Sequence, residues 1–227
     1  MENKILIAED EAKLRALVVS YLKKEGFKVV EASNGKEAMD LFSEDNYDLV
    51  ILDIMMPLKN GLDVCKEIRA QKSNVPIVIL TARSEEYDEL SGFSCGADEY
   101  ITKPFSPAIL ITRIKSIMKR SHILGDDEMR FGDIVLYNRE RRVKIRDAEI
   151  WLTPKEFDLL YYLILNKNIV RNREMILEKV WGFDYFGDER TVDTHIKCLR
   201  AKLMNCGEYI KTVRKFGYKL SEEKETE

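Results

Sequence analysis

"VILDIMMP", Val50–Pro57, sets six apolar residues around one carboxylate, Asp53, and closes on a proline. A short continuous apolar run bounded by turn residues reads as a strand buried on both faces. A buried unpaired carboxylate is costly, so Asp53 needs a surface outlet, a cation or a chemical task. Working outward, Lys4–Ala8, Lys28–Ala32, Asp48–Leu52, Pro76–Leu80 and Glu99–Thr102 read as five strands, the second weakly patterned. Helical stretches alternate with them. Asp10–Glu25 carries Leu14, Leu17, Val18, Tyr21 and Leu22 on one stripe, and Gly26 is placed to end it. Asn34 opens a second helix, a third holds Val64, Cys65 and Ile68, a weaker one covers 85–95, and Ser106–Arg120 is the last. Five such units predict an α/β fold, a doubly wound parallel sheet with helices on both faces. Sites in such sheets form beyond the carboxyl ends of the strands, where the strand order switches.

Polar residues collect where that rule places them: Glu9 and Asp10 after the first strand, Asp53 after the third, Thr81 after the fourth and Lys103 after the fifth. Each alone has a plainer reading: a helix-start acid pair, a turn aspartate, a capping threonine, a solvated lysine. Four strand ends in the right order make coincidence a poor account. Three carboxylates in one place repel unless a cation intervenes, and oxygen-only ligands suit Mg²⁺. Such a cation also offsets charge on an incoming phosphoryl group. Asp53 is then a carboxylate nucleophile, Lys103 a positive charge for the phosphate formed, and Thr81 a hydroxyl for one of its oxygens.

The chain has 227 residues, 45% apolar and 34% charged, enough for two modest domains. No apolar run approaches the ~20 residues of a membrane span. The first residues, Met-Glu-Asn-Lys, are too acidic for a secretory leader. Cys65, Cys95, Cys198 and Cys206 form no CxxC pair, which argues for reduced thiols in a cytoplasmic protein. Charge is unevenly divided. Residues 1–120 hold 17 basic and 20 acidic side chains, whereas residues 129–220 hold 19 basic and 13 acidic, which points to a polyanionic partner for the second half alone.

The second half begins after a linker, 121–128, with Gly125, Asp126, Asp127 and Glu128. Met129–Leu152 reads as a small antiparallel sheet. Thr153-Pro154-Lys155-Glu156 is a capping box with proline at the first helical position, and its helix carries Phe157, Leu160, Tyr161 and Ile164. Arg173–Trp181 and about Glu189–Met204 are further helices. Tyr209–Val213 and Gly217–Leu220 form a hairpin, and an acidic tail, 222–227, follows. Segment 190–219 has eight basic and two acidic residues. Val192, Ile196, Leu199 and Leu203 form its buried stripe, and a helix followed by a basic hairpin can reach two grooves of a duplex.

"LIAEDEAKLR" (Leu6–Arg15), "YDLVILDIMMPLKNG" (Tyr47–Gly61), "PIVILTAR" (Pro76–Arg83) and "GADEYITKPF" (Gly96–Phe105) closely resemble the receiver domain of two-component response regulators. The resemblance spans residues 1–120. It implies a (βα)5 receiver with Mg²⁺ at Glu9, Asp10, Asp53 and the Met55 carbonyl. It implies Asp53 as phosphoacceptor from a sensor histidine kinase, Thr81 and Tyr100 as a switch pair, and a cis Lys103-Pro104 peptide. "LTPKEFDLLYYL" (Leu152–Leu163), "VWGFDYFGDERTVDTHIKCLRAKL" (Val180–Leu203) and "YIKTVRKFGYKL" (Tyr209–Leu220) resemble the α+β winged-helix effector of the OmpR/PhoB family. That effector would cover 129–221 and bind promoter DNA. By position, Arg190, His195, Lys197, Arg200 and Arg214 resemble phosphate-contacting residues, and Thr194 and Cys198 sit where the family reads bases. Many relatives carry arginine at the Cys198 position, and a cysteine cannot bind guanine bidentately, so their target sites do not transfer.

The same resemblance implies that phosphorylation favours a homodimer through cross-subunit pairs. Asp98, Glu99, Arg113, Lys119 and Arg120 are the candidates, with Ile109 standing where relatives carry an acid. RNA polymerase is the further partner implied. The expected function is a phosphorylation-activated transcription regulator, whose own chemistry is limited to slow gain and loss of its phosphoryl group. Two other readings stand beside it. One is a DNA-binding regulator indifferent to phosphorylation, against which the intact acidic site argues. The other is a Mg²⁺-dependent aspartyl-phosphate phosphotransferase or phosphatase, against which the absence of a second general acid beside Asp53 argues.

Overall fold

The computed structural model describes residues 3–81, 96–119, 128–182, 185 and 188–222. The chain divides into two units, Met1–Ser121 and His122–Glu227.

The first unit alternates β1 (Lys4–Ala8), α1 (Ala12–Lys24), β2 (Lys28–Ala32), α2 (Gly35–Glu44), β3 (Leu49–Asp53), α3 (Gly61–Ala70), β4 (Ile77–Thr81), β5 (Glu99–Thr102) and α4 (Pro107–Lys119). The five strands form a parallel sheet in the order β2-β1-β3-β4-β5. Successive residues of a strand face opposite sides, and the two cores divide on that parity. Leu6, Val50, Leu52, Ile77 and Ile79 meet Ala38 of α2 and Val64, Cys65 and Ile68 of α3. Ile5, Ile7, Leu49, Ile51, Val78 and Leu80 meet Val18 and Leu22 of α1 and Leu110 and Ile114 of α4. Burial on both faces explains the continuous apolar runs. β2, at the edge, is only partly covered, which explains its weak pattern.

The strands run one residue further than the apolar runs suggest. Asp53 and Thr81 are the last residues of β3 and β4, not the first of the loops. Asp53 is in register with Leu80, and Thr81 with Thr102. Helix α1 starts at Ala12, so Glu9 and Asp10 both stand in the loop before it. Asn34 and Asn60 cap α2 and α3, accepting from the Glu37 and Asp63 amides at 2.9 Å each. The helix expected over 85–95 lies outside the described residues.

Gly61 opens α3 against the end of β3. A Cβ there would overlap the Asp53 carbonyl oxygen, a backbone atom that cannot swing aside. Gly61→Ala is therefore expected to displace the loop behind Asp53 and to cost about 1–3 kcal/mol, the usual range for overpacking. A denaturant midpoint equal to the parent's would refute this.

In the second unit β6 (Glu128–Phe131), β7 (Ile134–Tyr137), β8 (Arg142–Ile145) and β9 (Ala148–Ile150) form an antiparallel meander in chain order. Then come α5 (Pro154–Leu165), β10 (Arg171–Asn172), α6 (Arg173–Trp181) and α7 (Arg190–Leu203). A 3₁₀ turn, Met204–Tyr209, leads to β11 (Ile210–Val213) and β12 (Gly217–Leu220). The capping box of α5 is formed: the Glu156 amide donates to Thr153 Oγ1, and the Thr153 amide donates to Glu156 Oε2 at 2.7 Å. Phe157, Leu160 and Ile164 of α5, Ile176 and Val180 of α6, and Val192, Ile196, Leu199 and Leu203 of α7 share one core with Ile134, Leu136 and Val143 of the meander. The terminal sheet has the order β10-β12-β11. Its two-residue strand β10 is too short to leave a period in the sequence. Three helices and a terminal hairpin make this unit a winged helix. No helix among the described residues is long and apolar enough to cross a membrane.

Candidate functional site

The order β2-β1-β3 places the switch point between β1 and β3. Glu9, Asp10 and Asp53 converge there, each offering one oxygen, all within 4.8 Å of one another. Glu9 and Asp53 are 1% and 4% exposed, whereas Asp10 faces solvent. Lys103 Nζ lies 2.7 Å from Glu9 Oε2 and 3.1 Å from Asp53 Oδ2. The amide of Lys103 donates to the Thr81 carbonyl at 2.6 Å, which ties the lysine to the end of β4. Arg15 Nη1 donates to the Glu9 carbonyl at 2.5 Å and holds that loop from α1.

Burial pushes the Glu9 carboxyl upward. The Lys103 hydrogen bond opposes this, and the Asp53 charge adds to it. Burial pulls the Lys103 ammonium down, but the Glu9 bond and Asp53 charge outweigh it and hold the group above its ordinary value. A pocket with one ammonium and three carboxyls has acid to spare. An all-oxygen donor set this close together, partly open through Asp10, fits a small hard cation such as Mg²⁺. Thr81 is buried, and so is Tyr100, which packs with Val50, Leu52, Ile77 and Ile79. The Lys103-Pro104 peptide is cis. The Met55 side chain is exposed.

In the second unit α7 and the hairpin form a basic face. Arg190, Lys197 and Arg214 are exposed, and Cys198 is half-buried. Three residues expected at DNA stand differently. His195 is 3% exposed, its Nδ1 is 3.0 Å from the Thr191 carbonyl, and its ring meets the Trp181 ring edge-on at 4.8 Å. Thr194 is also enclosed, its hydroxyl donating to the Arg190 carbonyl at 3.2 Å. Trp181 and Tyr185, the latter 3.0 Å from Thr191 Oγ1, lean on the start of α7 and widen its buried face beyond the expected stripe. Arg200 is directed to the hairpin. Its Nη2 donates to the Ile210 carbonyl at 2.6 Å and to Thr212 Oγ1 at 2.9 Å.

The expected dimer residues also need correction. Asp98 is 1% exposed, and its Oδ2 accepts from Arg69 Nη2 at 2.7 Å and from the Ile77 amide at 2.8 Å. Within the chain this carboxylate is thus held by the end of α3 and the start of β4. Glu99 is buried and lies 3.4 Å from Arg113 Nη1 within the same chain. Ile109 is exposed at 43%. Arg120 and the Lys119 side chain lie outside the described residues.

Sequence reasoning missed one cluster. Arg173, at the start of α6, donates through Nε to Asp193 Oδ1 at 2.7 Å, and Tyr218 of β12 donates its hydroxyl to the same oxygen at 2.7 Å. Burial, then the bond to Asp193, pushes the Tyr218 phenol up to about 12. The partners are far apart in the chain, so no local spacing announces them.

An acidic pocket at the switch point of a parallel sheet, in one chain with a winged helix, is the architecture of a response regulator. Residues 5–115 match the response regulator receiver domain, and residues 147–220 match the C-terminal domain of transcriptional regulatory proteins. The chain is 41% identical to the alkaline phosphatase synthesis transcriptional regulatory protein PhoP of Bacillus subtilis, over the whole of both chains. It is 44% identical to the uncharacterized transcriptional regulatory protein YclJ of the same organism, over 97% of this chain and 100% of that one. Among solved structures, a mutant of RitR aligns with a TM-score of 0.78 and 30% identity, over 97% of this chain and all of that one. The chain belongs to the two-component response regulators with an OmpR/PhoB-type DNA-binding domain, and it is a transcriptional regulator.

Proposed function

We propose that Asp53 accepts a phosphoryl group from the phosphohistidine of a sensor histidine kinase, and that this drives a second copy and promoter DNA together on the chain. In the transfer, an Asp53 carboxylate oxygen forms the new O–P bond. The N–P bond breaks and its electron pair stays on the departing imidazole. Glu9, Asp10 and Asp53 would hold Mg²⁺, with the Met55 carbonyl as a further ligand. Bound there, the cation supplies charge neutralisation to the transferring group. Lys103, held at 3.1 Å from Asp53 Oδ2, is placed to pair with the phosphoryl oxygens once they arrive. The observation that carries this reading is that convergence of three acids and one lysine at the switch point.

Thr81, ending β4, and Tyr100, on adjacent β5, are the groups through which added charge would shift the receiver toward a dimer-competent state. The Asp98, Glu99 and Arg113 side chains are engaged within the chain, so the dimer face is proposed to rest on apolar contact around Ile109. Two effectors then reach two half-sites about one DNA turn (~10 bp) apart. The exposed Arg190, Lys197 and Arg214 are the proposed phosphate contacts, and Cys198 faces the bases. RNA polymerase is the further partner, and the cytoplasm the location, that this role implies. The protein's own catalysis is confined to slow uptake and loss of its phosphoryl group.

The test uses the full chain with phosphoramidate and Mg²⁺. One phosphoryl group per chain, a sedimentation shift toward the dimer and tighter retention on DNA are expected, all abolished by chelating the metal. Failure to take up phosphoryl, or uptake with neither consequence, would sink the reading.

A further inference from the structure

Helix α7 carries one acidic residue, Asp193, among the cations of its exposed side. On charge alone it is out of place, since a carboxylate repels a polyanion. Its surroundings give it another use. Asp193 Oδ1 gathers Arg173 Nε from the start of α6 and the Tyr218 hydroxyl from β12, each at 2.7 Å. The Tyr218 ring lies in turn within cation–π range of two guanidinium groups, Arg173 at 5.1 Å and Arg200 of α7 at 5.7 Å. One carboxylate thus ties α7 to the preceding helix and to the wing sheet, through two hydrogen bonds to a charged acceptor.

We propose that Asp193 is a positioning residue for DNA binding: it locks Arg173 and strand β12 against α7, so that helix and wing meet a duplex as one rigid surface. This rests on the reading of α7 and the wing as the DNA interface. Preorganisation of this kind favours binding by removing an ordering cost. It also reverses the sign expected from charge. If Asp193 were only a negative charge near DNA, its removal would tighten binding. If it positions the interface, removal weakens binding despite the more favourable charge.

The experiment measures binding of the full chain to mixed-sequence double-stranded DNA by fluorescence anisotropy over a salt series. Asp193→Ala is expected to bind about tenfold more weakly, the size set by one charge-assisted contact. Asp193→Asn, which keeps an acceptor oxygen, should recover part of the loss. Tyr218→Phe retains the ring and the Asp193 charge, and should weaken binding in the same direction. That variant decides the matter if Asp193→Ala does not fold. Equal or tighter binding by Asp193→Ala, or by Tyr218→Phe in its place, overturns the proposal. Lys197→Ala separates the two levels. Weaker binding with a shallower salt dependence is expected if α7 faces DNA. No change there removes the DNA-interface reading, and the proposal with it.

Discussion

Asp53→Asn is expected to abolish phosphoryl uptake while leaving the receiver folded. The amide is nearly the same shape as the carboxylate, but its oxygen is not a nucleophile, and one of the three pocket acids is lost. Removing an enzyme's nucleophile lowers its rate about a millionfold, which here means no uptake above background. The consequence should travel to DNA: the variant keeps its basal binding but gains nothing on incubation with phosphoramidate. Stability should hold or rise slightly. Asp53 contributes to the strain on Glu9, so its loss relieves repulsion between two buried acids, and Lys103 keeps its 2.7 Å bond to Glu9. The measurement is phosphoprotein yield beside calorimetric unfolding. A variant that takes up phosphoryl at the parent rate would show that another residue is the acceptor. A variant that binds DNA as the phosphorylated parent does would separate the receiver chemistry from the output.

The parts of this protein legible in the sequence are those written in local periods. Continuous apolar runs located the central strands β1, β3 and β4, because burial on both faces leaves no other composition. The strand ends then brought Glu9, Asp53, Thr81 and Lys103 into view as a group. The caps at Asn34 and Thr153 were legible because a helix start is a local chemical problem with few solutions. What stayed hidden depends on partners distant in sequence. Asp98 looks like a surface acid until Arg69, 29 residues away, claims it. His195 looks like a polar residue on a basic helix until Trp181 is found against it. Asp193 reads as an incidental acid until Arg173 and Tyr218 are found on the same oxygen. Strand register and helix packing decide such meetings, and neither leaves a spacing to read.

Arg69→Ala is expected to cost about 3–5 kcal/mol of receiver stability, the range for breaking a buried ion pair by removing one partner. Arg69 lies at the end of α3 and spends its donors on two segments. Nη1 donates to the Ser73 and Val75 carbonyls at 2.9 and 2.7 Å, before β4. Nε donates to the Gly96 carbonyl at 2.8 Å, and Nη2 to Asp98 at 2.7 Å, before β5. Deleting the side chain takes its donors from three carbonyls and from the buried Asp98 carboxylate. Against a typical total of about 5–15 kcal/mol, that is a large share. The surface pair Arg142–Glu149, at 3.5 Å, gives the contrast, since its loss should cost at most about 1 kcal/mol. Calorimetry suits the measurement because both tryptophans, Trp151 and Trp181, lie in the second unit. Their fluorescence should report an unchanged transition while the receiver's falls. Asp98→Leu combined with Arg69→Met should recover only part of the loss, because it removes the buried charge but still deprives the Ser73, Val75 and Gly96 carbonyls and the Ile77 amide of these partners. β4 and β5 end at Thr81 and just before Lys103, so the single variant should also take up phosphoryl more slowly, and the double variant less so. A loss below about 1 kcal/mol in Arg69→Ala, the level of a surface pair, would mean that Asp98 finds its charge partner elsewhere, and would return it to the list of residues open to a second copy.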